Sequence, residues 1–359
     1  MNISIFISGV TGGGAEKVAC AVASYLVNHG HLVELLTMSD EKATYPLDCR
    51  VTRKCLLKEC ERRNFLFNNT LRFVRLVKYL LCKKPDAYLA MLPTNISTIL
   101  SLRCLILSKI IAAERANPAS YNVKTQKKLA SLAHKADAWV FQTNVQKDWY
   151  ENRTTIKKGI VIPNAINPDV LNVGTIVEKK THIVTAGRLT DQKNHLLLID
   201  SFAKIAKKHS SYNLVIYGEG PNRGVLEDKI SSLGLSGRVL LPGYSPDVVR
   251  SVSESSLFVL SSDYEGMPNA LMEAMALGVP CVSTDCGGGG ARFLIEDGKN
   301  GLLVPRQDKD ALAEAMDRIL SDQEFAMSLG REAHKLCDTL APDVIYGQWE
   351  EFIIDVVNS

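Results

Sequence analysis

Cysteine is sparse in this chain of 359 residues. Nine cysteines are present, and no two of them are spaced as a C-x-x-C pair. Disulfide-stabilised scaffolds carry a much higher cysteine density, and zinc ribbons and thioredoxin-type sites need closely spaced pairs. The sequence therefore gives no support to any of these three classes. Read as reduced thiols, the cysteines point to a cytoplasmic protein.

Long hydrophobic runs are also missing. A membrane-spanning helix needs about 20 apolar residues, and the nearest candidate, 96–113, is interrupted by Arg103 and Lys109. The N-terminus lacks a basic segment, and the glycine-rich residues 9–14 lie where a signal peptide would be cleaved. We therefore expect neither a transmembrane span nor a signal peptide.

Acidic residues are scarce in the first half of the chain. Residues 1–175 carry 24 Lys and Arg against 13 Asp and Glu, whereas the remainder carries 18 against 26. This asymmetry indicates an anionic partner for the first half, and nucleic acid and an anionic membrane surface are both candidates. The excess is greatest in 53–84, where ten basic residues face only Glu59 and Glu61.

From about residue 65 this basic segment has the pattern of a helix with one aromatic-aliphatic face and one basic face. Such a helix can lie on an anionic bilayer. The alternative is a helix that packs on its own sheet and exposes its basic face to solvent.

The overall composition and the order of apolar runs predict the fold. Hydrophobic residues make up 46% and charged residues 23%, which excludes a fibrous repeat and wholesale disorder. Strand and helix patterns alternate twice, on either side of a proline-containing connection at 160–170. We predict two doubly wound α/β domains, 1–165 and 166–341, followed by a helix at about 342–359 that packs back on the first domain. The predicted strands are 3–7, 32–37, 87–92, 110–113, 138–142, 182–186, 213–217, 238–241, 257–261, 279–283 and 301–304.

A glycine-rich turn, Thr11–Glu16, lies between the first strand and the first helix. Glycines let a backbone approach a ligand closely, and a helix N-terminus offers free N–H groups to phosphate. The turn lacks the G-x-G-x-x-G pattern of dehydrogenases and the G-K-[ST] of P-loops. A tight turn that binds no ligand would use similar residues, so a phosphate-binding turn and a turn without a ligand both remain as interpretations.

The segment 261–280 carries the strongest chemical signal. Pro268 suits the first turn of a helix, so Glu265 falls in the preceding loop and Glu273 inside the helix. The amides of Asn269, Ala270 and Leu271 would point out of the helix start, where a phosphate is favoured. Carboxylates on both sides of an anion site match a ligand whose hydroxyl groups flank a diphosphate. A nucleotide sugar is such a ligand.

Two further turns belong to the same predicted domain. Arg188 and Lys193 lie on a strand-to-helix turn, where they could clamp a diphosphate. Gly218 begins another glycine turn after a strand. In open α/β sheets, ligands bind beyond the carboxyl ends of the strands.

These segments resemble the retaining glycosyltransferases of the GT-B fold, family four. The resemblance rests, in order, on GRLTDQKN, YGEGP, LPGY, SSDYEGMPNALMEAMALGVPCVSTD and EDGKNGLLVP, and in the first half on GGGAEK. Glu265 and Glu273 match the family's E-x7-E motif. The resemblance implies two Rossmann-like domains facing a central cleft, with acceptor bound by the first domain and donor by the second.

The resemblance also implies residue roles. Arg188 and Lys193 would hold the donor diphosphate in place of a metal, Glu273 would bond the ribose and Glu265 the transferred sugar. The amides of 269–271 would contact the phosphates, Gly13 and Gly14 would approach them from the first domain, and Tyr244 would lie near the base. No metal or other cofactor is expected, and no nucleophilic triad is evident.

The first domain departs from the family pattern. Many relatives carry a histidine near the reacting sugar, but no histidine occurs here between His31 and His134. Asn95, Glu114 and Arg115 occupy the corresponding loops. Asn95 and Arg115 are candidates for the acceptor side, and we expect Glu114, as a catalytic candidate, or Arg115 to contact acceptor or sugar. The alternative is a buried ion pair that ties loops together. Relatives often carry an acidic residue where this chain has Phe293, which leaves the donor sugar open.

We therefore expect a cytoplasmic enzyme, peripheral at the membrane, that moves a hexosyl-type sugar from a nucleotide sugar, most simply a UDP-sugar, to a lipid-linked glycan. Its partners would be donor, acceptor and the anionic membrane, through residues 53–84, and not nucleic acid. A catalytically silent nucleotide-sugar-binding subunit and a nucleotide-sugar epimerase are the alternatives.

Overall fold

The computed structural model describes residues 1–11, 13–40, 44–173 and 180–359. Gly12 of the predicted glycine-rich turn lies outside this range. The chain forms two compact units. The first unit comprises Met1–Pro163 with Asp343–Ser359, and the second comprises Asn164–Pro342.

The first unit is built on a seven-stranded parallel sheet in the order β3-β2-β1-β4-β5-β6-β7. Its strands are β1 Asn2–Ile7, β2 Leu32–Thr37, β3 Thr52–Cys55, β4 Ala87–Met91, β5 Lys109–Ala113, β6 Ala138–Phe141 and β7 Gly159–Val161. Its helices are α1 Gly14–Asn28, α2 Phe65–Cys82, α3 Pro93–Ser101, α4 Val123–Leu132, α5 Asn144–Glu151 and the C-terminal helix Pro342–Asn358.

The central strands of this sheet are largely apolar because helices cover both faces. Every residue of β4 is buried, and Ile3 of β1 is in register with both Val33 and Ala87. The C-terminal helix adds Trp349, which is fully buried, and its Glu350 pairs with His31 at 2.8 Å.

The second unit holds a six-stranded parallel sheet in the order β10-β9-β8-β11-β12-β13. Its strands are β8 Lys180–Ala186, β9 Asn213–Tyr217, β10 Val239–Gly243, β11 Ser255–Leu260, β12 Cys281–Thr284 and β13 Leu302–Val304. Its helices are α6 Pro168–Val173, α7 His195–Ile205, α8 Arg223–Ser232, α9 Val248–Ser253, α10 Asn269–Ala276, α11 Gly290–Leu294, α12 Lys309–Ser321, α13 Gln323–His334 and α14 Leu336–Thr339.

Both sheets change winding direction at a central pair of strands. The order reverses between β1 and β4 in the first unit and between β8 and β11 in the second. The crevice beyond the carboxyl ends of such a pair is where open α/β sheets bind ligands. The predicted α/β, doubly wound fold class is confirmed, and most predicted strands match within one or two residues.

Two strands were not predicted from the sequence. β3 has the polar sequence TRKC and lies at the sheet edge with three of its four residues exposed, so it has none of the apolar signal of a buried strand. β7 is only three residues long and falls beside the prolines that indicated a connection. None of the described helices is long and apolar enough to cross a bilayer.

Candidate functional site

The loops after β8 and β9 approach each other closely in the second unit. A Cβ atom added at Gly218 would lie 1.9 Å from the carbonyl oxygen of Gly187, and one at Gly220 would lie 2.4 Å from that of Leu189. Gly218 also has a φ of +133°, which other residues rarely adopt. Glycine at these positions therefore lets the Gly187–Leu189 backbone sit against the end of β9.

The turn after β8 meets the loop after β11. Lys193 Nζ lies 2.6 Å from Glu265 Oε1, and both side chains are largely buried, at 16% and 10% exposed. The Gln192 side-chain amide donates to the Tyr264 carbonyl at 2.9 Å, and Asn194 donates to Asp263 at 3.2 Å. The structure thus brings predicted residues Lys193 and Glu265 together at the switch point of the sheet.

Arg188 lies on the same turn but is solvent-exposed. Its guanidinium makes no hydrogen bond or ion pair with any residue in the described part of the chain. A cation held on a short turn beside a buried ion pair, with its donors unused, is suited to bind an anionic group.

Helix α10 begins directly beyond this loop. Its N-cap is Pro268, and no side chain caps the first turn, so the amides of Asn269, Ala270 and Leu271 keep their donor capacity. The helix dipole favours an anion at this end. Glu273, one turn into the helix, lines a small cavity together with Ala270, Val248 and Val249.

Gly218 and Tyr244 complete the predicted donor residues of this unit. Tyr244 follows β10 and is 82% exposed. All of these residues therefore follow the carboxyl ends of strands in one sheet. Whether each contacts a donor stays a prediction.

Two titratable groups beside the ion pair are neutral near pH 7. Burial, with Lys193 adding to it, lowers the pKa of His195 to about 4. Burial, with the charge of Glu265 adding to it, raises the pKa of the Cys286 thiol to about 12. Neither neighbour is therefore a reactive nucleophile or base near pH 7.

In the first unit, the predicted residue Asn95 is completely buried beyond the end of β4. Its amide donates to the Met91 carbonyl at 2.9 Å and to Ser8 Oγ at 3.1 Å. These bonds connect the ends of β1 and β4, and the predicted place of Asn95 on the acceptor side stays a prediction. Gly13 is the N-cap of α1 and Gly14 is its first residue.

Glu114 is also fully buried, and its carboxylate is fully engaged. Oε1 accepts from Tyr121 Oη at 2.6 Å and from the Arg115 and Ala116 amides, while Oε2 accepts from Tyr150 Oη at 2.8 Å. Burial raises the pKa of Glu114 above its ordinary value. These contacts tie Tyr121 and Tyr150 to the loop after β5, and the predicted contact of Glu114 with acceptor or sugar stays a prediction.

Arg115 is buried beside the C-terminal helix. Its guanidinium lies 5.7 Å from the centre of the Trp349 ring of the C-terminal helix, and burial lowers its pKa to about 10. Only 8% of the residue is exposed, and its predicted contact with acceptor stays a prediction.

Comparison with known proteins points to a glycosyltransferase. The sequence profile described as "Glycosyl transferases group 1" matches residues 168–336, which is almost the whole second unit. This unit is therefore similar in sequence to the glycosyltransferases of that group. An α-1,4-N-acetyl-D-galactosaminyltransferase of Campylobacter jejuni, whose name gives a PP-undecaprenol-linked glycan as acceptor, is 27% identical over 365 residues and 100% of both chains.

Two other matches bear on this glycosyltransferase. An exopolysaccharide phosphotransferase of Streptomyces coelicolor is 35% identical over 255 residues, which cover 70% of this chain but only 27% of that protein. Anabaena HepE, solved with UDP and glucose, is 16% identical and superposes with a TM-score of 0.82 over 98% of each chain. This last likeness confirms the predicted GT-B fold.

Sequence reasoning missed several polar residues of this glycosyltransferase site. Gln192, Asn194, Ser261 and Ser262 all bond to the ion pair or to its loops. The available signal was the pair of serines directly after the apolar run of β11, because hydroxyls at the carboxyl end of a central strand lie at the ligand-binding edge.

The tyrosine contacts of Glu114 allow a stability test of its structural role. Replacing Tyr150 by phenylalanine leaves a carboxylate oxygen without a donor in the core, which costs about 1–3 kcal/mol. We expect urea unfolding to show this loss. As a control, Tyr212→Phe removes a hydroxyl that bonds to no described residue and should change stability by about 0.5 kcal/mol or less. Equal stability of the two variants would contradict the role.

Proposed function

We propose that this glycosyltransferase moves a hexosyl-type sugar from a UDP-sugar to a lipid-linked glycan, with retention at the anomeric carbon and without a metal. The observation that carries the proposal is the Lys193–Glu265 pair, which joins the turn that holds the exposed Arg188 to the loop that leads into the uncapped start of α10. These two loops together carry cations, free amides and a carboxylate, which are the groups that a sugar diphosphate requires.

Each group then has a task in the reaction. Arg188, Lys193 and the first amides of α10 bind the diphosphate and stabilise the charge that develops on the departing nucleotide. Glu265 bonds the sugar hydroxyls, and Glu273 bonds the ribose. The bond from the anomeric carbon to the phosphate oxygen breaks as the acceptor oxygen attacks from the same face. The acceptor's proton passes to the departing phosphate oxygen.

The comparisons support the choice of substrates. The HepE structure contains UDP and glucose, which favours UDP as the nucleotide. The Campylobacter relative, matched over its full length, is named for a lipid-linked acceptor, and the Streptomyces relative for an exopolysaccharide. We therefore place the reaction in the synthesis of a surface polysaccharide or glycoconjugate.

A donor panel tests the proposal without knowledge of the acceptor. UDP-N-acetylgalactosamine, UDP-glucose, GDP-mannose and ADP-glucose are added to the purified protein, with and without EDTA, while thermal unfolding and donor hydrolysis are followed. A ligand that binds only the folded state raises its stability. We expect a UDP-sugar to raise the melting temperature in both conditions and to be slowly hydrolysed. Binding without hydrolysis or transfer would favour the silent-subunit alternative, and an EDTA-sensitive response would contradict metal independence.

We further propose that the protein meets the membrane through the start of α2. Phe65 and Leu66 are 79% and 77% exposed, and the exposed Arg62 and Arg63 precede them. Apolar side chains beside cations match the boundary between anionic headgroups and acyl chains.

The direction of α2 supports this placement. Arg72 donates to the Met38 carbonyl just beyond the end of β2, whereas Tyr79 Oη lies 2.8 Å from Ser4 Oγ in the first half of β1. The helix therefore runs antiparallel to the strands, and its exposed first turns project beyond the carboxyl edge of the sheet. That edge is where this unit would bind a ligand, so a membrane contact there suits a lipid-linked acceptor.

Vesicle sedimentation tests the membrane contact. The double variants Phe65→Ser/Leu66→Ser and Arg62→Glu/Arg63→Glu should each reduce partition onto phosphatidylglycerol vesicles about tenfold or more, since each basic residue near the surface contributes about 1 kcal/mol. The control Leu107→Ser/Val123→Ser removes side chains that are 83% and 64% exposed elsewhere in the same unit. Partition that falls equally in the control, or in no variant, would contradict the assignment.

A further inference from the structure

Two adjacent serines directly follow the last residue of β11, and each holds one partner of the ion pair. Ser261 is 2% exposed and its Oγ donates to the Lys193 carbonyl at 2.9 Å. Ser262 is fully buried and its Oγ donates to Glu265 Oε1 at 2.9 Å. The cation and the carboxylate are therefore fixed separately, by neighbouring residues of one strand end.

A third buried hydroxyl holds the backbone of Ser262. Thr284, the last residue of β12, donates from Oγ1 to the Ser262 carbonyl at 2.6 Å. A buried hydroxyl costs stability unless it is hydrogen-bonded, and an alanine or valine would fill the same place in a sheet core without that requirement. The bonds that these hydroxyls make are therefore the reason for polar residues at this depth.

The two carboxylate oxygens of Glu265 have different hydrogen-bond partners. Oε1 accepts from both Lys193 Nζ and Ser262 Oγ. Oε2 has one partner among the described residues, the Gln192 amide at 3.5 Å, which is a weak contact at that distance. One oxygen is thus anchored, and the other keeps the capacity to accept from a ligand hydroxyl.

We propose that Ser262 and Ser261 are positioning residues with separable tasks. Ser262 orients the Glu265 carboxylate so that its free oxygen meets the transferred sugar, and Ser261 holds the backbone of Lys193 so that its ammonium meets the diphosphate. The inference rests on the proposed function, because it takes the sugar and the diphosphate from there.

Isothermal titration with UDP and with UDP-sugars separates these tasks. UDP contains the diphosphate but no transferred sugar, and the sugar-containing probes are UDP-N-acetylgalactosamine and UDP-glucose. We expect Ser262→Ala to weaken the UDP-sugar about tenfold, as one hydrogen bond to a charged group is lost, and to leave UDP affinity unchanged. Ser261→Ala should weaken UDP and the UDP-sugar by the same factor.

Two controls separate positioning from general destabilisation. Ser256→Ala removes a hydroxyl at the start of the same strand, which donates to the Lys180 carbonyl at 2.8 Å, and it should change neither affinity. In a Glu265→Ala background, Ser262→Ala should have no further effect on the UDP-sugar, because the carboxylate that it orients is gone.

The outcomes distinguish this inference from the proposed function. If the wild-type protein binds a UDP-sugar but Ser262→Ala weakens UDP equally, or weakens neither ligand, the positioning role of Ser262 is wrong while the function stands. If Ser261→Ala changes neither affinity, its role is wrong in the same way. If the wild-type protein binds neither UDP nor any UDP-sugar, the proposed function itself fails, and the inference fails with it.

Discussion

Replacing Glu265 by alanine should reduce sugar transfer by a factor of at least about 10²–10³, the loss typical of removing one preorganised polar group from a catalytic site. The carboxylate holds Lys193 Nζ at 2.6 Å in a place where both side chains are largely buried. Its removal takes away the proposed contact with the transferred sugar and leaves the ammonium with no carboxylate partner. The measurement is the initial rate of transfer or hydrolysis with the UDP-sugar found in the donor panel.

The partner variant and a matched control sharpen this prediction. Lys193→Ala should reduce the rate of sugar transfer by a similar factor. The double variant should reduce the rate by less than the product of the two single factors, because the residues act as a unit. Glu296→Ala removes a carboxylate from an exposed pair with Lys299 in the same unit and should retain full activity. If Glu265→Ala keeps its fold by circular dichroism and retains near wild-type activity, the assignment of this site is wrong.

The fold was predictable where burial on both faces of a sheet leaves an apolar run in the sequence. AYLAM and AWVF are such runs, and β4 and β6 lie where they predict. β3 was not predictable in this way, because an edge strand in a parallel sheet needs only backbone hydrogen bonds on one side. Its register with β2, from Glu34 opposite Thr52 to Thr37 opposite Cys55, fixes it in place.

The candidate site was predictable to the extent that its residues follow strands in short motifs. Lys193 and Glu265 are 72 residues apart, yet each lies in the loop that follows a strand of the central pair, so sheet topology brings these two loops together. Glu114 shows the opposite case. It also follows a strand, but Tyr150, 36 residues away, closes over it, and no local pattern indicates that a tyrosine will occupy a carboxylate's free oxygen.

The surroundings of the two carboxylate groups therefore distinguish Glu265 from Glu114 more clearly than their sequence motifs do. Glu265 is 8% exposed and Glu114 is fully buried. The exposed fractions differ little, but the carboxylate oxygens differ in their hydrogen-bond partners. One oxygen of Glu265 has only a weak contact, whereas both oxygens of Glu114 accept short bonds from tyrosine hydroxyls.

The largest expected effect on stability comes from Gly218→Ala. The new Cβ would lie 1.9 Å from the Gly187 carbonyl oxygen, which is a backbone atom that no side-chain rotation can clear, and φ at this position is +133°. Clash and backbone strain together should cost about 3 kcal/mol or more. We expect this loss in thermal or urea unfolding of the purified protein.

The same change should weaken donor binding, because relief of the clash must displace Gly187 and with it the adjacent Arg188. Gly224→Ala is the matched control. Gly224 lies in α8 with no atom within 4 Å of its added Cβ, and alanine in a helix is more stable than glycine by about 0.5–1 kcal/mol. The two glycine-to-alanine changes should thus alter stability in opposite directions, and only Gly218→Ala should reduce affinity for UDP. Wild-type stability and UDP affinity in Gly218→Ala would show that the loops after β8 and β9 do not pack as closely as the structure places them.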